Sequence, residues 1–126
     1  MIGIIVTLTD TRYSKIYAYD LFVLLNALKA AGAEAISIND QRIVYDTAVV
    51  DINSTFISVN GKRLVSSQYV VKAIGDITYL ESAIAQKQYG YIDTKLSEGK
   101  SVVLERKEDI EIEAYDGDLN FAYVNN

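Results

Sequence analysis

The order of apolar and polar positions predicts a chain in which strands and helices alternate. The β-branched run from Ile2 to Leu8 has the composition of a strand. Apolar residues then recur at helical spacing after Asp20, a candidate N-cap, and this pattern stops at Gly32. Glycine is the usual residue for the positive φ just past a helix end. A second strand, Ala33–Asn39, follows at once and leads into a polar Asn-Asp-Gln-Arg corner.

The middle of the chain is predicted to be extended and to contain a hairpin. Asn60-Gly61 is a strong signal for a type I′ turn, which needs positive φ at both central positions. A helix over Ile77–Gln88 should follow, with Asp76 or Thr78 as its cap. The remaining predictions are strands at Val44–Asp51, Thr55–Val59, Lys62–Val65 and Tyr69–Ile74, helical turns at Ile92–Leu96, and a final antiparallel pair of Ser101–Arg106 with Ile110–Tyr115.

These elements form two βαβ units. They predict an α+β two-layer sandwich, ferredoxin-like in outline, with an inserted β-hairpin. Both main helices, Asp20–Ala31 and Ile77–Gln88, should lie on one face of the sheet. The side chains expected to be buried beneath them are Leu25, Leu28, Leu80 and Ile84. Residues 1–117 are predicted to form one globular domain, and residues 118–126 an acidic, frayed tail.

The amino-acid composition argues against several classes of function. The chain has 126 residues and a net charge of −5, with no block of Lys or Arg that could form a basic face. This argues against binding to nucleic acid or to anionic lipid. Cysteine and histidine are both absent, so disulfides, thiolate metal sites and a Ser-His-Asp site are excluded. No cofactor, metal site or enzymatic activity is predicted.

Four segments together resemble a known family. They are Ala30–Ile43, Val59-Asn60-Gly61, Tyr69–Asp76 and Ala114–Gly117. Their order and spacing resemble the bacterial domain-of-unknown-function family 881, the YlxW-like proteins, over Gly3 to about Gly117. No catalytic residues are established for that family, so the resemblance implies none here.

The resemblance also implies a location. Members of the family typically carry an N-terminal membrane helix and a coiled-coil stretch, with the globular domain outside the cytoplasm, and they are linked loosely with cell division, sporulation and envelope growth. We therefore expect an extracytoplasmic domain that is anchored to the cell membrane in the full-length protein. The start in a strand at Ile2 fits a domain that follows an anchor and a linker. Envelope or division proteins are the expected partners, with at most weak self-association.

Carboxylates offer two candidates for chemistry. Asp10, Asp40 and Asp76 each follow a predicted strand, where active-site carboxylates often lie, although Asp is also the standard cap and turn residue. Asp116-x-Asp118-x-Asn120 has the spacing of half a calcium loop. Phe121 stands where that loop needs glycine, so a frayed tail is the better interpretation.

Arg42 and a group of tyrosines are the candidate contact residues. The Arg42 guanidinium is expected to tie the corner to Asp40, Asp46 or a loop carbonyl, and its alternative role is to hold a ligand carboxylate or phosphate. Asn39 is interpreted as a turn former with a ligand contact as its alternative. The candidate aromatic contacts are Tyr13, Tyr17 and Tyr91, since aromatic clusters bind partner proteins or glycans.

Three functional hypotheses remain open. The first is a non-enzymatic interaction module of the bacterial cell envelope. The second is a small-ligand sensor, which rests on fold analogy. The third is a carboxylate-dependent cell-wall hydrolase. A flat surface lined by Tyr13, Tyr17 or Tyr91 would favour the first hypothesis, a closed apolar pocket with Arg42 at its mouth the second, and a deep cleft with two facing carboxylates the third.

Overall fold

The computed structural model describes residues 1–53, 56–64 and 67–115. In this part of the chain there are two antiparallel sheets and three helices. The strands are β1 (Gly3–Thr9), β2 (Ala35–Ile38), β3 (Gln41–Arg42), β4 (Val49–Asp51), β5 (Ile57–Val59), β6 (Lys62–Leu64), β7 (Gln68–Ile74) and β8 (Ser101–Lys107). The helices are α1 (Ala18–Ala30), α2 (Ile77–Ile84) and α3 (Tyr91–Ser97).

The larger sheet has the strand order β3-β2-β7-β1-β8. Every neighbouring pair in it is antiparallel. Strands β1 and β2 therefore run in the same direction with β7 between them, and α1 is the crossover that connects them. The mixed α/β class predicted from the sequence is confirmed.

Alternation along the strands separates the two faces of this sheet. Ile4, Val6 and Leu8 are buried and share one core with the leucines of α1 and α2. The two helices also contact each other, so they lie on the same face. The predicted burial of Leu25, Leu28, Leu80 and Ile84 is confirmed. Ile5 and Thr7 point to the other face, where they are only half-buried and where none of the three described helices lies.

The first helix starts earlier than the sequence predicts. Asp20 is not the N-cap, because α1 begins at Ala18 and Asp20 lies within its first turn. The Asp20 carboxylate instead accepts the Tyr17 backbone N–H at 2.8 Å. A second carboxylate, from Asp51 of β4, accepts the Ala18 N–H at 2.9 Å. Both satisfy N–H groups at the helix start that have no partner within the helix.

The inserted segment forms a three-stranded sheet in the order β4-β5-β6, rather than a hairpin alone. Its predicted turn is confirmed, since Asn60 and Gly61 have φ of 55° and 75° between the paired β5 and β6. The same turn chemistry occurs at the polar corner. Asn39 and Asp40 have φ of 45° and 67° and join β2 to β3 as a two-residue hairpin loop.

Three further elements have bounds that differ from those predicted. Helix α2 ends at Ile84 instead of Gln88, whose φ of 72° is incompatible with a helix. The predicted strand over Val44–Asp51 is reduced to β4, and the helical turns at Ile92–Leu96 are the middle of α3.

The predicted pairing of Ile110–Tyr115 with Ser101–Arg106 is wrong. Strand β8 pairs with β1, and residues 110–115 form no strand. Ile110 instead exchanges backbone hydrogen bonds with Met1, at 2.7 and 3.2 Å. This pairing carries the segment after it onto the helix-free face. The tail at 118–126 and the candidate calcium loop at Asp116, Asp118 and Asn120 lie outside the described residues.

Candidate functional site

The hairpin between β2 and β3 fixes the position of Asn39. Its side-chain oxygen accepts the Val70 N–H at 2.7 Å, and its side-chain NH₂ donates to the Gln68 carbonyl at 3.2 Å. The Asn39 backbone N–H donates to the Val70 carbonyl at 3.0 Å. These contacts extend the pairing of β2 with β7 by one residue, so Asn39 is a turn former that holds the corner against the sheet.

Arg42 contributes to the corner through its backbone and not through its guanidinium. Its carbonyl accepts a hydrogen bond from the Asn60 side chain at 2.8 Å, which joins the larger sheet to the inserted one. The expected ties of the guanidinium to Asp40, Asp46 or a loop carbonyl are not seen among the described residues, and Asp40 pairs with Lys72 at 3.5 Å. The Arg42 guanidinium has no hydrogen bond or ion pair with any residue in the described part of the chain.

A cleft of about 580 Å³ lies beside this guanidinium on the helix-free face. Ala35 and Ile74 come from neighbouring strands of the sheet, and the segment after β8 forms the opposite wall. We call this space the Arg42 cleft. Its lining residues are Met1, Glu34, Ala35, Arg42, Ile74, Asp109, Ile110, Glu111, Ile112, Glu113 and Ala114.

The candidate tyrosines lie elsewhere, on the helical side of the molecule. Tyr13 is 81% exposed and Tyr17 is 47% exposed, whereas Tyr91 is only 9% exposed. Tyr17 and Tyr91 are brought together by one buried group of charges, since Lys100 lies over the Tyr17 ring and Lys95 over the Tyr91 ring, each at 5.5 Å. The structure therefore separates the tyrosines from Arg42 and Asn39, which belong to the opposite edge of the sheet.

Asp20 is the centre of this buried charge cluster. Its carboxylate accepts hydrogen bonds from Lys95 Nζ at 2.8 Å and from Lys100 Nζ at 2.8 and 3.0 Å. Glu98 adds a second carboxylate, 3.2 Å from Lys95. The Tyr91 hydroxyl donates to the Asp20 carbonyl at 2.6 Å. The cluster ties α3 and the three residues that follow it to the start of α1.

The cluster shifts the protonation of its members. Burial alone would raise the pKa of Asp20, but hydrogen bonds from Lys100, Lys95 and the Tyr17 backbone hold that pKa below its ordinary value. Burial would lower the pKa of Lys95, yet hydrogen bonds to Asp20 and Glu98 raise it. Burial, followed by the charges of Asp20 and Glu98, raises the pKa of Tyr91. Asp20 and Lys95 are therefore both held in their charged forms and Tyr91 in its neutral form, which fits a structural role for the cluster.

An apolar groove runs between α1 and α2 on the outer side of the helical layer. One part, of about 590 Å³, is lined by Ala27, Ala30, Ala31, Tyr79, Ser82, Ala83 and Gln86. The other, of about 420 Å³, is lined by Tyr19, Val23, Ala27, Ala83, Tyr89, Tyr91, Thr94, Lys95 and Glu98. The two parts share Ala27 and Ala83, so they form one continuous helical groove, with small residues along its floor.

The three carboxylates that follow strands have structural roles. Asp10 accepts the Ile16 N–H at 2.7 Å, and Asp76 caps α2 by accepting the N–H groups of Thr78 and Tyr79. Asp40 pairs with Lys72. Asp76 also lies at the opposite end of the sheet from Asp10, because β1 and β7 are antiparallel. They do not form a facing pair. Within the described ranges, no group of three or more carboxylates is placed to hold a metal ion.

Sequence reasoning missed the partners of Asp20 and most of the Arg42 cleft. Asp20 carried the signal of a helix cap, and nothing in its local sequence points to lysines 75 and 80 positions away. Glu34 and Ile74 lie near the segment after β8 because of the order of the strands in the sheet, which the sequence does not show. The alternation of Ile110 and Ile112 with Glu111 and Glu113 did indicate one wet face, and in the structure Ile110 is buried while both glutamates are exposed.

An α/β domain with these antiparallel sheets is the class that the fold defines. The family model for bacterial proteins of unknown function DUF881 matches residues 2–125, so the chain belongs to this family. It is also similar to a solved structure described as the crystal structure of an uncharacterized conserved protein from Mycobacterium tuberculosis. That likeness has 28% identity and a TM-score of 0.73, and it covers 94% of this chain and 85% of the other.

Two further findings are negative. No curated protein matches the chain. None of the helices in the described residues is long and apolar enough to cross a membrane.

Proposed function

We propose that this domain is a non-enzymatic interaction module of the bacterial cell envelope, held outside the cytoplasm by a membrane anchor in the full-length protein. Its partner is the apolar face of a helix of another envelope protein, which docks in the helical groove. Membership in the DUF881 family supports the proposed location in the bacterial cell envelope. The finer description of the larger sheet as ferredoxin-like belongs to the same proposal, and the strand order β2-β7-β1-β8 supports it.

The composition of α1 is the observation that carries this proposal. The inner side of this helix is buried, yet its outer side also carries exposed apolar side chains: Tyr19 at the groove, 69% exposed, and Phe22 outside it, 53% exposed. Asn26 and Lys29 are the exposed polar side chains of α1, and they also lie outside the groove. The side of α1 that borders the groove carries only Tyr19 and apolar side chains. Contiguous exposed apolar surface of this kind marks an interaction site.

The shape of the groove favours a helix as its occupant. Ala27, Ala30 and Ala83 leave room for close approach between α1 and α2, and exposed tyrosines stand along its length. An amphipathic helix that lays its apolar face in such a groove is a common mode of peptide recognition. Tyrosines are also the side chains that contribute most at protein interfaces. A folded protein partner fits this surface better than a glycan, which needs more hydrogen-bonding groups.

Site-specific photocrosslinking in the full-length protein in living bacteria tests the proposal. A photoreactive residue at Tyr19 or Tyr89 should crosslink to one defined envelope protein, whereas the same residue at Tyr45, which is fully exposed and outside the groove, should not. Ala30→Glu should abolish the crosslink by placing a charge in the groove. Asn26→Glu places the same charge on α1 outside the groove and should preserve it.

Two outcomes contradict the proposal. Crosslinks from Tyr19 that join only copies of this chain would make the groove a self-association surface. Equal crosslinking from Tyr19 and Tyr45 would remove the groove as a specific site. External protease on intact cells tests the location: a tagged domain that is resistant until the membrane is broken would be cytoplasmic.

A further inference from the structure

The Arg42 guanidinium has no partner among the described residues, in a cleft whose other charged side chains are acidic. Arg42 is half-buried, and its guanidinium is a planar group with five N–H donors. Glu34, Glu111 and Glu113 line the same space, but none of them lies within ion-pair distance of it. A guanidinium that has lost part of its hydration normally gains a carboxylate in return. The space between the Arg42 guanidinium and the three glutamates could therefore hold a ligand that pairs with both.

A second unpaired polar group lies directly beside Arg42. Ser37 is the register partner of Arg42 on one side and of Lys72 on the other, so these three residues form one row on the helix-free face. Ser37 is 1% exposed, and its hydroxyl has no hydrogen-bond partner among the described residues. Buried polar groups in native proteins are almost always paired. Arg42 and Ser37 are thus two neighbouring polar groups at this edge of the sheet that have no partner within the described ranges.

The rest of the lining limits the size and character of a ligand. The volume of about 580 Å³ lies within the range of small-molecule sites. Ala35, Ile74, Ile110 and Ile112 provide apolar surface for a small side chain. These proportions suit a ligand about as large as one or two amino acids.

The charges decide the chemical class. A phosphate or a dicarboxylate would gain from Arg42 but would be repelled by the three glutamates, while Asp109 of the same lining pairs with the Met1 ammonium group at 3.7 Å. A purely cationic ligand would leave Arg42 unpaired. A molecule with one carboxylate and one ammonium group can pair its carboxylate with Arg42 and its ammonium group with the glutamates.

We propose that the Arg42 cleft binds a zwitterion, a free amino acid or a short peptide, with the ligand carboxylate on the Arg42 guanidinium and its ammonium group among Glu34, Glu111 and Glu113. This site is separate from the helical groove and does not depend on the docking of a protein there. The apolar floor of the cleft receives the ligand side chain.

Isothermal titration of the purified chain with alanyl-alanine tests this proposal. The free dipeptide should bind saturably. The N-acetylated dipeptide and the dipeptide amide, which each lack one charge, should both bind about tenfold or more weakly. Arg42→Gln should weaken the free dipeptide to the level of the amide. Arg12→Gln is the matched control, since Arg12 lies outside the cleft beside Tyr13, and should bind as the wild type.

The expected thermal stability of Arg42→Gln equals that of the wild type, because the guanidinium has no partner in the described chain. If that variant does not fold, Arg42→Lys and the two blocked dipeptides on the wild type still decide the matter. Inorganic phosphate or the N-acetylated dipeptide binding as well as the free dipeptide would overturn the assignment, since the cleft would then be a simple anion site. No saturable binding of the free dipeptide would overturn it as well.

Discussion

Lys95 Nζ lies 2.8 Å from Asp20 Oδ1, and both side chains are almost completely buried. The contact joins the middle of α3 to the first turn of α1 across 75 positions of the sequence. Lys100 reaches the second carboxylate oxygen of Asp20 at the same distance. The carboxylates of Asp20 and Glu98 together balance two ammonium groups that could not be buried alone. This arrangement, and not helix packing alone, positions α3 and with it the wall of the helical groove.

Asp20→Asn should destabilise the fold by about 3–5 kcal/mol at neutral pH, because it leaves two buried lysines with only the more exposed Glu98 as a charge partner. The hydrogen-bonded carboxylate has a pKa below its ordinary value. Its contribution is therefore fully present above the pKa of the unfolded chain, about 3.9, and is lost as the pH falls through the native pKa. The stability difference between wild type and variant should shrink below about pH 4.

Urea denaturation of both proteins across a pH series measures this difference. Glu81→Gln is the control, since Glu81 belongs to a surface pair with Arg106 and its loss should change stability little. At the alkaline end, the raised pKa of Lys95 means that its contribution persists below the unfolded pKa and disappears as the pH rises through the native value. A difference between wild type and Asp20→Asn that stays constant from pH 7 to pH 2 would contradict the role of the Asp20 charge.

Two buried tyrosines should respond in opposite ways to loss of the hydroxyl. The Tyr91 hydroxyl donates to the Asp20 carbonyl at 2.6 Å, so Tyr91→Phe should destabilise by about 0.5–1.5 kcal/mol. The Tyr69 hydroxyl is fully buried and has no hydrogen-bond partner in the described ranges. Tyr69→Phe should therefore be neutral or stabilising by about 1 kcal/mol. Thermal melts of the two variants give the comparison, and a large loss of stability in Tyr69→Phe would show that its hydroxyl has a partner.

Gly3 is required for space. A Cβ at this position would lie 2.0 Å from the Ala73 carbonyl oxygen and 3.0 Å from Ile110. Gly3→Ala should force β1 away from β7, at a cost of about 1–3 kcal/mol or more. Gly32 is the matched control, since its Cβ would meet no atom and only its φ of 87° favours glycine. Gly32→Asn, with a side chain that tolerates positive φ, should cost less than Gly3→Ala in chemical denaturation.

Local signals were sufficient for the elements whose structure depends on nearby residues. The leucine spacing of α1, the glycine that ends it and the Asn60-Gly61 turn each act within a few positions, and each prediction is confirmed. The cap at Asp76 belongs to the same group. These features could be read from the sequence because steric and hydrogen-bonding preferences of short segments determine them.

Features that depend on distant partners could not be read in this way. Asp20 has the residue type of a cap, but its three partners come from residues 17, 95 and 100. The segment after β8 has the alternation of a strand, and whether it pairs with β8 or with Met1 depends on which edge is already occupied. The candidate site shares this limit: Arg42 was identifiable as a fixed cation, whereas the cleft beside it exists only once β2, β7 and the segment after β8 have met.

Leu25→Ala should destabilise the protein by about 2–5 kcal/mol, because Leu25 is 4% exposed within the core and its truncation removes buried apolar contacts and leaves a cavity. Phe22 lies one turn away on α1 but is 53% exposed. Phe22→Ala should therefore change the free energy of unfolding much less, although Phe22 is the larger side chain. Chemical denaturation of both variants measures the contrast. A Phe22→Ala loss as large as that of Leu25→Ala would mean that the outer side of α1 is already covered in the isolated chain, for example by self-association, which sedimentation would then detect.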